Sequence, residues 1–230
     1  MTRRPGPVPA PPPGAGTGPP AGAPLLVCCA LGVERFALNR HAVPRTGPGA
    51  ATVLRTGMGP HAARRALDRV LRDEPEPGAT AVVAAGFCAG LLPGMRPGDL
   101  VLAEETCDET GRSRTACTAS APLARALATL GTVHTGPVAG AAHVVRGAER
   151  DALRATGAVA VDMESAATLT AAVRGTPDRP VTAVRVVVDA PGHELLRIGT
   201  LGGGVSAFRV LCTVLPALLA WHRSLPLSRR

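Results

Sequence analysis

A chain of 230 residues is long enough for one large domain with a core of ordinary size. Aromatic residues make up only 2%, too few for a base-stacking platform, which argues against a single-strand nucleic-acid binder. The formal net charge is +8, but every one of the 25 basic residues is an arginine, Lys, Gln and Tyr are absent, and the arginines form no long block, so the charge reads as compositional bias and solvated surface.

The six cysteines, Cys28, Cys29, Cys88, Cys107, Cys117 and Cys212, make no CxxC or Cys/His metal spacing. Several sit in apolar runs, where cysteine behaves as a small hydrophobe. A reduced, cytoplasmic protein without a metal centre is expected. Residues 1–24 are Pro/Gly-rich with little to bury and are expected to be a disordered tail. Arg3 and Arg4 are followed by no apolar stretch, so no secretory signal is expected. No run reads as apolar enough to span a bilayer.

Order is expected over 25–225, a single domain. Leu25 to Ala30 is an apolar run that predicts a buried strand. "ATVLRTGMG" (51–59) predicts a strand ending in a Gly turn, and Pro60 then opens a helix with apolar Ala63, Leu67, Val70 and Leu71. Strands follow at 79–86 and 99–105, with "GFCAG" (86–90) as a Gly-rich turn after the first of them. A helix is predicted over 121–131, then strand, turn and strand over 133–145, then a short helix at "ERDALRATG". "AVAVDME" (158–164) predicts a strand running into the helix "SAATLTAAVRG". The Val-rich run 180–191 is the most strand-like segment, and 205–225 predicts an amphipathic C-terminal helix with a kink or break at Pro216. Strands apolar on both faces, alternating with helices, indicate an α/β three-layer sandwich around a mixed, largely parallel sheet.

Ligand sites in such folds gather at the C-terminal ends of strands. Glu34 lies just past the first strand, "GFCAG" past the third, Glu164 past the strand at 158–161, and Asp189 at the end of the Val-rich strand. Each has a bland reading as well: a carboxylate at a strand-to-helix junction is often only a helix cap, which is the expectation for Asp162.

The order and spacing of six segments resemble the nucleoside phosphorylase and 5′-methylthioadenosine/S-adenosylhomocysteine nucleosidase superfamily. They are "CALGVE" (29–34), "RTGMGPHAARRAL" (55–67), "GFCAGLLPGMRPGDLVLAEE" (86–105), "TGPVAGAAHVV" (135–145), "VDMESAA" (161–167) and "VRVVVDAP" (184–191). The resemblance implies roles. Glu164 would accept hydrogen bonds from both ribose hydroxyls, and Met163 would pack on the sugar face. Asp189 would deliver a proton to purine N7, in a pocket that keeps it protonated when needed. Glu34 would orient and deprotonate the attacking water. His143 and Val144 would flank the purine, and Phe87, Cys88 and Ala89 would line the substrate pocket. Asp189 and Glu34 are thus the expected catalytic pair, acting through an oxocarbenium-like sugar.

No cofactor is implied beyond water or inorganic phosphate as co-substrate. Phosphorolytic relatives carry an Arg and a Ser where this chain has Ala84 and Phe87, which favours hydrolysis, although Arg35 or Arg55 could supply a charge from elsewhere. Within the superfamily, "GAVAVDMESAA" (157–167), the loop "GTLGGG" (199–204) and the Leu-rich last helix look most like the hopanoid-associated branch. That branch implies adenosylhopane as substrate, with methylthioadenosine/adenosylhomocysteine and futalosine as alternatives. A purine nucleoside with a lipid 5′ substituent would bring the protein to the inner face of the membrane as a peripheral visitor. The resemblance also implies a homo-oligomer. A catalytically silent nucleoside-binding protein is the non-enzyme alternative. Nucleic acid is not an expected partner, since clustered arginines and base-reading elements are lacking.

Overall fold

The computed structural model describes residues 24–40, 50–118, 121–192 and 201–225. The tail expected over 1–24 lies outside these residues except for Pro24, whose carbonyl accepts the Ala81 N–H. In chain order the elements are β1 (Leu25–Cys29), α1 (Gly32–Leu38), β2 (Ala51–Arg55), α2 (Pro60–Arg72), β3 (Ala81–Gly90), β4 (Leu100–Cys107) and β5 (Arg114–Ala116). There follow α3 (Ala121–Ala128), β6 (Val133–Gly140), α4 (Ala148–Ala155), β7 (Ala160–Asp162), α5 (Ser165–Val173), β8 (Val181–Asp189) and α6 (Leu201–Ser224).

The sheet is mixed. Parallel pairs join β1 to β2 and β3, β3 to β8, β4 to β6 and β6 to β7; antiparallel pairs join β3 to β7, β4 to β8 and β4 to β5. Five strands, β3–β8–β4–β6–β7, therefore return to their start and close a ring, with β1 and β2 extending from it on one side and β5 on the other. β3 makes the closure possible. Its first half pairs with β1, and its last two residues, Ala89 and Gly90, leave β1 and pair with β7.

Helices cover both faces, as expected of a three-layer sandwich. On one face α6 packs against α1 and α3, and its Leu211, Leu215, Leu218 and Trp221 share a core with Val27, Val83 and Val184 of the sheet. On the other face α2 packs against α5, over Leu26, Val82 and Ala183. Alternate residues of each buried strand thus feed opposite cores, which is why the strands read as unbroken apolar runs.

Several expectations change. "GFCAG" is no turn: it is the second half of β3, held in the ladder by β8 with a register shift between Cys88 and Ala89. The second strand expected within 133–145 does not form, because β6 loses its partner where β7 ends, at the Gly140–Asp162 pair. α6 runs through the exposed Pro216 without a break, and residues 201–204 of the expected Gly-rich loop belong to it; 199 and 200 lie outside the described residues. By length and composition, Gly203–Ser224 is apolar enough to cross a membrane, contrary to the sequence reading. Ala207, Leu211, Val214, Leu215, Leu218 and Trp221 are nevertheless buried against the sheet, the arrangement of a core helix.

Candidate active site

The first strand ends at Cys29 and the chain enters α1 at Gly32. Glu34 is the third residue of that helix and its side chain reaches back over the helix start. Its Oε2 accepts the N–H groups of Ala30 (2.9 Å) and Leu31 (2.8 Å), the reach-back half of a capping box. Its Oε1 accepts the Phe87 N–H of β3 at 2.7 Å. Three backbone donors therefore satisfy a carboxylate that is only 2% exposed.

Asp162 closes β7 and starts α5. Its Oδ1 accepts the N–H groups of Glu164 (3.0 Å) and Ser165 (2.8 Å), and its Oδ2 takes Arg185 Nε at 2.6 Å. It is saturated, a helix-start residue as the sequence suggested. Glu164 is the N-cap residue of α5, but its side chain does not cap; Oε1 instead accepts the Gly59 N–H at 2.8 Å, across the cleft. Burial pushes the Glu164 carboxyl above the usual range, against the opposing pull of Arg185 and the Gly59 N–H.

Two arginines complete the arrangement, and the sequence reading assigned a role to neither. Arg185, on β8, is 1% exposed and lies beneath the carboxylates. Its Nε also donates to Ser165 Oγ at 2.8 Å, while Nη1 is buried and has no partner. Gly86 shows how near Nη1 comes to Glu34. A Cβ at that position would sit 2.4 Å from Glu34 Oε1 and 2.8 Å from Arg185 Nη1, so the glycine is needed for the two groups to meet over β3. Burial works against the Arg185 charge, but Asp162, Glu164 and Glu34 outweigh it and push its pKa up. Arg150, on α4, donates from Nη2 to Asp189 Oδ2 at 2.6 Å, and the other oxygen, Oδ1, is buried without a partner. The expected proton donor therefore has one oxygen held by a guanidinium and the other without a partner.

A cleft of about 240 Å³ is lined by Glu34, Phe87, Cys88, Ala89, His143, Val144, Met163, Glu164 and Asp189, all nine residues singled out from the sequence. Met58, Leu31 and Val188 join them. Met58 and Val144 stand exposed at its lip, and His143 pairs with Glu149 at 2.9 Å on the outer side. The Cys88 thiol is pushed well above its ordinary range by burial, which makes it wall rather than nucleophile. Among the described residues no group of three or more His, Cys, Asp and Glu side chains could hold a metal ion. The cleft thus offers two acidic acceptors and an acid paired with Arg150, with the Arg185 guanidinium buried behind them and one of its arms without a partner.

The family description "Phosphorylase superfamily" matches residues 40–198, more than half of the chain. The chain belongs to the phosphorylase superfamily. No curated protein matches this superfamily member. Solved structures do. One is a 5′-methylthioadenosine/S-adenosylhomocysteine nucleosidase from S. pneumoniae with a transition-state inhibitor, 17% identical, TM-score 0.66, covering 86% of this chain and 98% of that one. A second is the nucleosidase of the same description from Neisseria meningitidis, in complex with methylthio-immucillin-A, 17% identical, TM-score 0.66, covering 87% and 98%. A third is the futalosine hydrolase of Helicobacter pylori, 13% identical, TM-score 0.69, covering 85% and 96%. At these identities the likeness establishes that this superfamily member has their fold.

Proposed function

We propose that this superfamily member cleaves the N-ribosyl bond of a 5′-substituted adenine nucleoside and releases adenine. The observation that carries the reading is the convergence of Glu34, Glu164 and Asp189 on one cleft, with the unused Nη1 of Arg185 beside Glu34. Glu164 accepts the ribose hydroxyls and Met163 covers the sugar. Asp189 serves N7: the partnerless Oδ1 is the oxygen left for the base, while Arg150 holds Oδ2. Electron density leaving with the purine is then neutralised, and the cationic sugar faces Glu34 and Glu164.

Water is the favoured nucleophile. Glu34 lines the cleft as a carboxylate that can accept a proton from an attacking water, with the Arg185 guanidinium buried behind it. A phosphate dianion there would meet two buried carboxylates and a guanidinium already paired with Asp162. Ala84 and Phe87 supply neither charge nor hydroxyl.

For the 5′ substituent we favour adenosylhopane. The support is the hopanoid-branch resemblance of "GAVAVDMESAA" and the apolar, exposed lip formed by Met58 and Val144. The nucleosidase folds favour a smaller reading, methylthioadenosine or adenosylhomocysteine. Adenine release from all three substrates, each with and without phosphate, tests both. Release mainly from the two thio-nucleosides would sink the hopanoid reading, and dependence on phosphate would sink hydrolysis.

A further inference from the structure

Exposed large hydrophobic residues are not scattered over this molecule. Among the described residues there are six, and five of them surround the cleft mouth or the helices beside it: Met58, Val144, Val33, Phe36 and Val205. Val33 and Phe36 lie at i and i+3 on α1, 49% and 60% exposed, with Arg40 beyond the end of the helix at i+7 of the same stripe. Val205 and Phe208 lie at i and i+3 on α6, with Arg209 next to them. The rings of Phe36 and Phe208 stack at 6.3 Å, joining the two helices into one surface, and the Arg40 guanidinium lies 5.9 Å from the Phe36 ring. Leu31, just before α1, lines the cleft, so the surface continues into its lip.

Among the described residues of α1, β2 and α6 the exposed charge on this face has one sign. Arg35, Arg40, Arg55 and Arg209 are exposed there. α1, β2 and α6 contain one acid between them, Glu34, and it is buried in the site. Apolar side chains rimmed by arginines without compensating carboxylates match a surface that is apolar within and anionic at its boundary. A second copy of the chain fits less well. An isologous contact would gather the arginines of both copies in one interface, with no exposed acid among the described residues of α1, β2 and α6 to pair them.

We propose that the α1/α6 face docks on an anionic lipid bilayer, with Phe36, Val33 and Val205 entering the headgroup boundary and the arginines meeting lipid phosphates. The cleft mouth then opens at the membrane surface. That an apolar 5′ substituent passes from bilayer to cleft rests on the function proposed above; the docking itself does not.

The test is co-sedimentation of the full chain with vesicles of phosphatidylcholine alone and of phosphatidylcholine containing about a third phosphatidylglycerol. Binding is expected to be at least about tenfold stronger to the anionic vesicles and to weaken as salt rises. Phe36→Asp, and separately the pair Arg40→Glu and Arg209→Glu, should each reduce it about tenfold or more while circular dichroism and the melting midpoint stay those of the parent. The charge pair keeps the test valid if Phe36→Asp fails to fold. Equal binding to both vesicle types, or unchanged binding by folded variants, overturns the proposal. So does absence of lipid binding together with a dimer that Phe36→Asp splits, which would give the face to a second copy. Vesicle binding without adenine release from any nucleoside would leave the docking standing and remove the proposed function.

Discussion

Asp189 has one oxygen bound by Arg150 and one with nothing to bind, so its two halves serve different ends. Replacing it with Asn keeps the shape and removes the transferable proton. Asp189→Asn is expected to lower kcat by about 10²- to 10⁴-fold while far-UV circular dichroism is unchanged; turnover at the parent rate would take Asp189 out of the acid role. Glu164 sets a pH limit of its own. In the proposed role it accepts both ribose hydroxyls best as the carboxylate, and burial raises its pKa, so protonation on acidification begins above the ~4.3 of a free glutamate. KM should therefore rise as pH falls through that raised value. In Glu164→Gln, neutral throughout, KM should be high and flat; a parent KM that holds constant down to about pH 4 would contradict the role.

At the level of elements, α6 carries Pro216 inside a helix of 24 residues, on its exposed side. A proline there forfeits a backbone bond, so Pro216→Ala is expected to stabilise the protein by up to about 3 kcal/mol, read as a higher urea midpoint; a lower midpoint would show that the ring fits its place. The elements themselves were largely legible. β1, β3, β4 and β8 stand out as apolar runs, and the functional carboxylates follow from their positions at strand ends. "GFCAG" misled because glycines signal turns, while here Gly86 makes room for Glu34 and Arg185 within a strand. The hairpin strand β5 has only three residues and no pattern to show. Arg185 did leave a signal: an arginine within "AVRVVVD" must be buried, and a buried cation must have acids around it. Arg150 left none. It reads as an ordinary helix arginine, and its partner lies 39 residues further along the chain.

Across the whole molecule, β3 and β8 run parallel, with ion networks at both of their ends. At the end away from the cleft, Arg179 gives Nη1 and Nη2 to the two oxygens of Glu74 (3.1 and 2.6 Å), Nη1 also to the Thr80 carbonyl and Nε to that of Ala172. One guanidinium thus ties the loop after α2, the entry to β3 and the end of α5. Burial alone would raise the Glu74 pKa, but the hydrogen bonds from Arg179 and Thr80 outweigh it and hold it below the usual range. The folded value is depressed, so this stabilisation is complete above the unfolded glutamate pKa of ~4.3 and is lost as pH falls through the folded value. Glu74→Gln leaves Arg179 buried and uncompensated and should cost about 3 kcal/mol in urea unfolding at neutral pH, shrinking in acid; a pH-independent loss would refute the linkage.

In the far network every nitrogen of Arg179 has a partner, whereas the near one leaves Arg185 Nη1 and Asp189 Oδ1 without one. A bound group that hydrogen-bonds either of these buried atoms is worth about 1–3 kcal/mol to the folded state. An inhibitor that engages both would therefore raise the melting midpoint as well as block the site. Selection for thermal endurance in the absence of such a molecule would tend to replace these two side chains first, and would trade turnover for stability in doing so.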